Sequence, residues 1–247
     1  MARRRRLDIE LVRLGLAASR AQAHELIAAS RVTVNGAIAD KPARLVAPSD
    51  NLSVAGPPAR FVGRGGEKLD AALEQFAIDV TDLRVLDCGA STGGFTDCLL
   101  QRGAAEVVAL DVGHGQLHPK IRNDPRVTVL ERTNIRTTTA ATIGGPVDAA
   151  MADVSFISLT VVIPPLTALC KPGSAVVLLV KPQFEAGRTE VSRGRGVVTD
   201  PRVHDAVRDC IDEALIASHC EVRGWMESPI RGGEGNVEFL VHATTLT

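Results

Sequence analysis

Residues 83–101 read LRVLDCGASTGGFTDCLLQ, and this stretch decides the fold of the chain. A short apolar strand is predicted over residues 83–87, and a helix is predicted over residues 96–101. The turn between them contains Gly89, Gly93 and Gly94, which let the backbone bend sharply and approach a ligand closely. Because ligands in open α/β sheets bind at the carboxyl ends of the strands, this turn is a candidate binding site.

Strand and helix patterns alternate on both sides of this stretch. Further helices are predicted at 68–76, 159–170 and 202–217, and further strands at 106–111, 127–130, 147–153, 175–180, 219–227 and 237–243. This order predicts the α/β class, with a doubly wound, mainly parallel sheet that has helices on both faces.

A carboxylate ends the second strand of this region. Asp111 lies 24 residues after Asp87, and a carboxylate there can accept hydrogen bonds from both ribose hydroxyls of a nucleoside cofactor. The glycine loop departs from the spacing G-x-G-x-x-G, which disfavours a nicotinamide cofactor.

The loop D-x-G-x-S-x-G-G-F resembles motif I of S-adenosylmethionine methyltransferases of the RrmJ/FtsJ-like class. The resemblance implies a Rossmann-like methyltransferase sheet and S-adenosyl-L-methionine as the cofactor. The residues that it implies in cofactor binding are Asp87, Gly89, Ser91, Thr92, Gly93, Gly94, Phe95, Asp111 and Asn134.

Four ionisable residues stand at predicted element ends in this region: Lys68, Asp153, Lys181 and Glu238. Each alone is explained by a solvated strand or helix end. Together they resemble the K-D-K-E tetrad of ribose 2′-O-methyltransferases. A ribose hydroxyl needs a base, and a lysine can serve when burial and a neighbouring cation favour its neutral form. We expect Lys181 to be the base and Lys68 the neighbouring cation, with Asp153 orienting Lys181 and Glu238 holding the ribose or Lys68.

The first 64 residues differ from the rest in charge. They have a net charge of +6, whereas the remainder has −7, which suggests that the first part meets a polyanion. Residues 7–36 contain two short helix patterns and a strand that enters an Asn35–Gly36 turn. This string resembles the S4 RNA-binding domain, a small α+β module, and the resemblance implies RNA contacts from Arg4, Arg6, Arg20 and Lys41. We therefore predict an S4-like domain at 1–58, a linker at 59–64 and the methyltransferase domain at 65–247.

Composition excludes several other classes. The chain has no Tyr, one Trp and six Phe, too few aromatic residues for an extended base-stacking platform. Its five cysteines form no CxxC pair, so we expect neither a disulfide framework nor a metal site. The apolar runs are too short to span a bilayer, and the basic start does not resemble a signal peptide. We expect a cytoplasmic monomer without a membrane partner.

A loop rich in glycine and arginine follows Lys181. Residues 183–198 hold Arg188, Arg193 and Arg195 and lack apolar periodicity. We predict a lid that closes over bound RNA beside Lys181 with its arginines on phosphate, and a disordered surface loop is the alternative.

Motifs along nearly the whole chain resemble the TlyA family of ribosomal RNA 2′-O-methyltransferases, once called haemolysin A. The matching motifs include GASTGGFTD (89–97), DVGHGQL (111–117), ADVSFIS (152–158), LVKPQFE (179–185) and GNVEF (235–239). The resemblance implies methylation of cytidine 2′-hydroxyls in 23S rRNA, and in 16S rRNA for the longer subtype, which supports capreomycin and viomycin sensitivity. The expected partner is therefore ribosomal RNA or a ribosomal subunit.

Three alternatives remain open from the sequence. The basic start resembles the longer subtype, whereas the sequence ends at Thr247 without that subtype's extra helix, so the modified subunit is not determined. The chain could instead be an RNA-binding ribosome-assembly factor that does not catalyse. The old family label also suggests a membrane-active protein, although no amphipathic basic helix of useful length occurs.

Overall fold

The computed structural model describes residues 4–17, 20–56, 59–186, 196–232 and 235–246, except for the side chains of Ala21 and Glu25. The chain divides into two compact units, Met1–Gly63 and Arg64–Thr247. The arginines of the predicted lid lie in residues 187–195, outside the described residues.

The first unit is a small α+β fold. Its elements are β1 (Arg5–Arg6), α1 (Leu7–Arg13), α2 (Arg20–Ala28), β2 (Val32–Val34), β3 (Ala37–Ile38), β4 (Leu45–Val46) and β5 (Leu52–Val54). Strand β2 pairs antiparallel with β3 and β5, and β1 pairs antiparallel with β4. The predicted Asn35–Gly36 turn joins β2 to β3, and both residues have positive φ, as a tight hairpin turn requires. Its core includes the fully buried Leu7, Leu11 and Val32.

The second unit alternates helices and strands. Its elements are α3 (Gly65–Gln75), β6 (Arg84–Cys88), α4 (Gly94–Gln101), β7 (Glu106–Leu110), α5 (Pro119–Arg122), β8 (Val127–Leu130), a 3₁₀ helix (Ile135–Thr137), β9 (Val147–Ala152), α6 (Leu159–Thr167), β10 (Cys170–Val180), α7 (Pro182–Glu185), α8 (Pro201–Ala217), β11 (Cys220–Glu227) and β12 (Phe239–Thr245).

These strands form one seven-stranded sheet in the order β11-β12-β10-β9-β6-β7-β8. Strands β6 to β10 pair parallel, and β12 runs antiparallel between β10 and β11. The prediction of a doubly wound, mainly parallel sheet is confirmed. The chain runs from β6 outward to β8 and then returns to β9 on the other side of β6. The carboxyl ends of β6 and β9 therefore form the switch point at which such sheets bind ligands.

The boundaries predicted for the second unit lie within about three residues of the observed ones, except for the start of β10. The helix predicted at 159–170 ends at Thr167, and β10 begins at Cys170 instead of residue 175. Pro172 and Gly173 predict a loop, but the strand passes through them with a register shift between Cys170 and Ala175. A bulge lets a strand include residues that would otherwise end it.

Apolar residues on the central strands form the core of the second unit. Leu86, Val108, Ala150 and Leu178 are fully buried, as expected where helices cover both faces of a parallel sheet. Within the described residues, no helix is long and apolar enough to cross a membrane.

Candidate functional site

The loop after β6 is shaped by two glycines that no other residue could replace without strain. Gly89 has a φ of 88°, and a Cβ atom there would lie 2.3 Å from the backbone oxygen of Asp153. Gly93 has a φ of 94°, and its Cβ would lie 2.9 Å from a methyl group of Leu117. A side chain at Gly89 would therefore push apart the ends of β6 and β9.

The Asp111 carboxylate is held at the end of β7 by two backbone amides. The N–H of Ser91 donates to Oδ2 over 2.8 Å, and the N–H of Gly113 donates to Oδ1 over 2.7 Å. Ser91 has a φ of 48°, which is uncommon for a residue other than glycine. A carboxylate oxygen can accept more than one hydrogen bond, so this fixed group keeps capacity for ribose hydroxyls.

Asp87 lies beneath the loop and does not line the cleft described below. It is fully buried, and its Oδ2 accepts a 2.6 Å hydrogen bond from the hydroxyl of Thr96. Its Oδ1 has no hydrogen-bond partner among the residues that the structure describes. Burial raises the pKa of Asp87 to about 7; the Thr96 bond opposes this rise, and the charge of Asp153 adds to it.

A cleft of about 170 Å³ opens at the switch point, and a smaller one of about 10 Å³ lies beside it. Ala90 and Ser91 line both, and Asp111 faces the smaller one. The larger cleft is lined by Gly65, Gly89, Ala90, Ser91, Thr92, Gly94, Phe95, Asp153, Ser155 and Lys181. The structure thus brings five of the predicted cofactor residues together with two of the predicted tetrad.

Asn134 and Gly93 stand apart from the other predicted cofactor residues. The exposed Asn134 accepts a 3.0 Å hydrogen bond from the N–H of Arg136 and caps the 3₁₀ helix. Gly93 is the amino-terminal cap of α4. Neither residue lines the two clefts.

The amine of Lys181 is held by three acceptors. Its Nζ lies 2.5 Å from Oδ1 of Asp153 and donates to the Val154 carbonyl oxygen over 3.1 Å and to Oγ of Ser155 over 2.9 Å. All three acceptors come from the segment directly after β9. The contacts with Val154 and Ser155 are hydrogen bonds, whereas Oδ1 of Asp153 has no hydrogen-bond partner among the described residues and holds the amine as an ion pair. Lys181 is 9% exposed and enters the cleft from the end of β10.

Lys68 and Glu238 form a second ion pair, which is buried. Nζ of Lys68, on α3, donates to Oε2 of Glu238, just before β12. A Cβ at Gly232 would lie 2.5 Å from Oε1 of Glu238, so the glycine leaves room for this carboxylate. Val180 pairs with Phe239 across β10 and β12, so Lys181, directly after β10, and Glu238, directly before β12, lie at the same end of these adjacent strands. Each lysine therefore has its own carboxylate, and the four charges sum to zero, as burial requires.

Two aromatic residues beside the cleft were not predicted from the sequence. Phe156 follows Ser155, is 92% exposed and has a φ of 64°. Its ring contacts that of Phe184 with centroids 5.2 Å apart, and Nζ of Lys181 lies 5.9 Å from the Phe184 centroid. The motif ADVSFIS contains Phe156, but only its aspartate carried a predicted role. The amino-acid sequence alone does not indicate that a phenylalanine in an apolar motif is exposed.

In the first unit, a buried carboxylate organises the basic residues. Asp8 is fully buried and accepts hydrogen bonds from Arg6 over 3.0 Å and from Arg20 over 2.9 Å, while Nε2 of His24 lies 2.9 Å away. The Arg6 hydrogen bond is the largest cause that holds the pKa of Asp8 well below its usual value. The side chains of Arg6 and Arg20 remain 40% and 60% exposed.

The remaining predicted RNA-binding residues, Arg4 and Lys41, are exposed. Within the described part of the chain, no cluster of three or more His, Cys, Asp or Glu side chains is arranged to hold a metal ion.

Comparisons with known proteins give a consistent result. Residues 61–245 match the model of the FtsJ-like methyltransferases, and residues 5–52 match the S4 domain. A relative from Mycobacterium tuberculosis (strain H37Rv), the 16S/23S rRNA (cytidine-2′-O)-methyltransferase TlyA, is 50% identical, covering 100% of this chain and 92% of the relative. Hemolysin A of Brachyspira hyodysenteriae is 39% identical over 96% of this chain and 98% of its own length. A solved structure of a hemolysin-named protein from Streptococcus thermophilus has a TM-score of 0.80 and 40% identity, covering 100% of this chain and 90% of that one.

Proposed function

This chain belongs to the FtsJ-like methyltransferases, in the TlyA family with an amino-terminal S4 domain, and we propose that it transfers a methyl group from S-adenosylmethionine to the 2′-hydroxyl of cytidine in ribosomal RNA. The observation that carries this proposal is the lysine–aspartate pair of Lys181 and Asp153 in the cleft at the switch point. A second, buried pair of Lys68 and Glu238 lies beside it.

The residues around the cleft fit S-adenosylmethionine. When bound, this cofactor supplies a methyl group on a positively charged sulfur. Asp111, fixed by two amides, suits the ribose hydroxyls of its adenosine. Gly89 and Gly94 border the larger cleft without bulky side chains, and the carboxylate of Asp153 places negative charge there. Asp111 therefore matches the nucleoside part of the cofactor, and Asp153 matches its positively charged sulfur.

Lys181 is the proposed base for the ribose hydroxyl. Such a hydroxyl is a poor nucleophile at neutral pH, and removing its proton during attack lowers the barrier. Lys181 lines the cleft, and its contacts with Asp153 and Val154 fix the amine in one position. Lys68 is bound to Glu238. We assign two roles to this second pair: it supports the base of the cleft, and it holds the ribose in place.

Phe156 and the first unit supply contacts for RNA. An almost fully exposed phenylalanine in a left-handed conformation gains little from the fold, but it offers a flat face beside the reacting group. RNA bases that leave a helix stack on such aromatic faces. The exposed guanidinium groups of Arg6 and Arg20 are suited to phosphate, and their contact with Asp8 holds them in a fixed arrangement.

A methylation assay on the full chain tests this proposal. Ribosomal subunits from cells that lack the gene are incubated with S-adenosylmethionine carrying a labelled methyl group. We expect 2′-O-methylcytidine to form with the wild type and to fall by at least about 100-fold with Lys181→Ala, the usual effect of losing a general base. Cofactor affinity, measured by calorimetry, is expected to stay close to wild type.

Lys171→Ala is a matched control. Lys171 lies at the opposite end of the same strand, where its Nζ is 2.5 Å from Oδ1 of Asp148. It therefore has the same type of ion pair but lines neither of the two clefts, and its variant is expected to keep full activity. Equal labelling with wild type and Lys181→Ala would exclude Lys181 as the base, whereas no labelling with the wild type would contradict the proposal and favour an assembly factor that binds cofactor. Testing 16S and 23S rRNA separately identifies the modified subunit, and leakage from lipid vesicles tests the membrane-active alternative.

A further inference from the structure

The three groups that touch the Lys181 amine are not equivalent. The carboxylate of Asp153 and the carbonyl of Val154 can only accept hydrogen bonds, whereas the hydroxyl of Ser155 can accept or donate. Its Oγ lies 2.9 Å from Nζ of Lys181. Of these three groups, Ser155 alone can accept a hydrogen bond from the ammonium and also donate one to the lone pair of the neutral amine.

A base has to be neutral before it takes a proton. A neutral lysine amine has two N–H groups and one lone pair, and the two acceptor-only neighbours favour the N–H groups, the Val154 carbonyl through its hydrogen bond and the Asp153 carboxylate through its charge. The lone pair then points toward Ser155, which can turn its hydroxyl and donate to it. The proton that Lys181 gains must enter along this line between Nζ and Oγ.

The exposure of the two side chains agrees with this route. Lys181 is 9% exposed and has its amine enclosed by the segment after β9, whereas Ser155 is exposed and lines the same cleft. A ribose hydroxyl in the cleft can therefore reach Oγ of Ser155, while Oγ itself stands at the lone pair of Lys181.

We propose that Ser155 is a catalytic residue that relays the ribose proton to Lys181. The 2′-oxygen forms a bond to the methyl carbon as the bond from that carbon to sulfur breaks. The 2′-hydroxyl proton passes to Oγ of Ser155 while the Ser155 proton passes to Nζ of Lys181. Ser155 ends as a neutral hydroxyl and Lys181 as an ammonium that bonds to Asp153, Val154 and Ser155. This step rests on the proposed methylation of ribose.

The relay is tested with Ser155→Ala, which removes the hydroxyl, and Ser155→Thr, which keeps it. We expect the single-turnover rate of Ser155→Ala to fall by about 100-fold and that of Ser155→Thr to remain within about fivefold of wild type. Calorimetry with S-adenosylmethionine alone is expected to give the same affinity for all three proteins. The wild-type rate should depend non-linearly on the fraction of heavy water in the solvent, which indicates that two protons move in the rate-limiting step.

Ser158→Ala is the matched control, because Ser158 lies in the same segment but bonds to Glu185 and not to Lys181. Its rate is expected to remain within about threefold of wild type. The relay is wrong if Ser155→Ala keeps the wild-type rate, if Ser155→Thr does not restore a lost rate, if the cofactor affinity of Ser155→Ala drops, or if the wild-type isotope dependence is linear. Methylation by the wild type with loss in Lys181→Ala keeps the proposed function in each case; a wild type that methylates nothing overturns that function itself.

Discussion

Replacing Asp87 with asparagine tests whether the carboxyl beneath the glycine loop is buried at an energetic cost. Burial raises its pKa from 3.8 to about 7, against the opposing hydrogen bond from Thr96. Between these two pH values the folded chain keeps a proton that the unfolded chain has lost. The free energy of unfolding therefore falls as the pH rises from about 4 to about 7, by about 4 kcal/mol at ~1.4 kcal/mol per pKa unit.

Asparagine keeps an oxygen for the Thr96 hydroxyl but cannot ionise, so Asp87→Asn should lose this slope. Near pH ~4 the variant and the wild type should have similar free energies of unfolding, and near pH ~8 the variant should be more stable by up to about 4 kcal/mol. Urea denaturation of the full chain is followed by the fluorescence of Trp225. The chain has one tryptophan, and it lies in the same unit as Asp87.

The exposed Asp82 provides the control for this experiment. Asp82→Asn also removes a carboxylate from the second unit, but from its surface, and should leave the pH dependence of unfolding unchanged. The reasoning is refuted if wild type and Asp87→Asn show parallel curves between pH ~4 and pH ~8, because the carboxyl would then ionise freely in the folded chain.

Three further outcomes follow from the geometry. Asp111→Ala should weaken S-adenosylmethionine binding by about 1.5–3 kcal/mol in calorimetry, the usual loss for hydrogen bonds to a charged group; unchanged affinity would exclude this carboxylate from the cofactor site. Asp8→Asn should weaken rRNA binding about tenfold, or ~1.4 kcal/mol, in filter binding, because Arg6 and Arg20 lose their anchor. Tighter binding would show instead that the added positive charge dominates. Phe156→Gly should raise the free energy of unfolding by about 1 kcal/mol by relieving its left-handed backbone, yet raise the KM for rRNA at least about fivefold through lost stacking; a normal KM would exclude a stacking role.

The sequence predicted the sheet and the strand ends well, because burial on both faces of a parallel sheet leaves continuous apolar runs that end in polar residues. Asp111, Asp153 and Lys181 each follow such a run, and the sheet order brings them to one edge. The sequence left two roles open for Glu238, and the structure shows its pairing with Lys68. These residues are 170 positions apart, and they meet only because β12 inserts beside β10. No local pattern specifies that insertion.

The contacts around single side chains were beyond the sequence. Composition indicated too few aromatic residues for a stacking platform, but composition does not show that Phe156 is exposed beside the cleft. Arg6 and Arg20 were predicted to contact RNA from their charge alone. Their common partner, Asp8, is a carboxylate in the first turn of a helix, and its burial depends on how α1 and α2 pack.

Backbone strain in the second unit is not confined to the site, because Asp82 and Arg132, which lie in turns, also have positive φ. Ala77 and His219 also have positive φ, but they follow the ends of α3 and α8, where the left-handed conformation is a common way to end a helix. Ser91 and Phe156 end no helix, and both adjoin the cleft. The buried carboxyl of Asp87, beneath the same loop, also lowers the stability of the folded chain when it is ionised. Three unfavourable features within one small region do not stabilise the fold, so their location is best explained by the ligand groups that they position: Ser91 places its N–H on Asp111, and Phe156 places its ring beside Lys181.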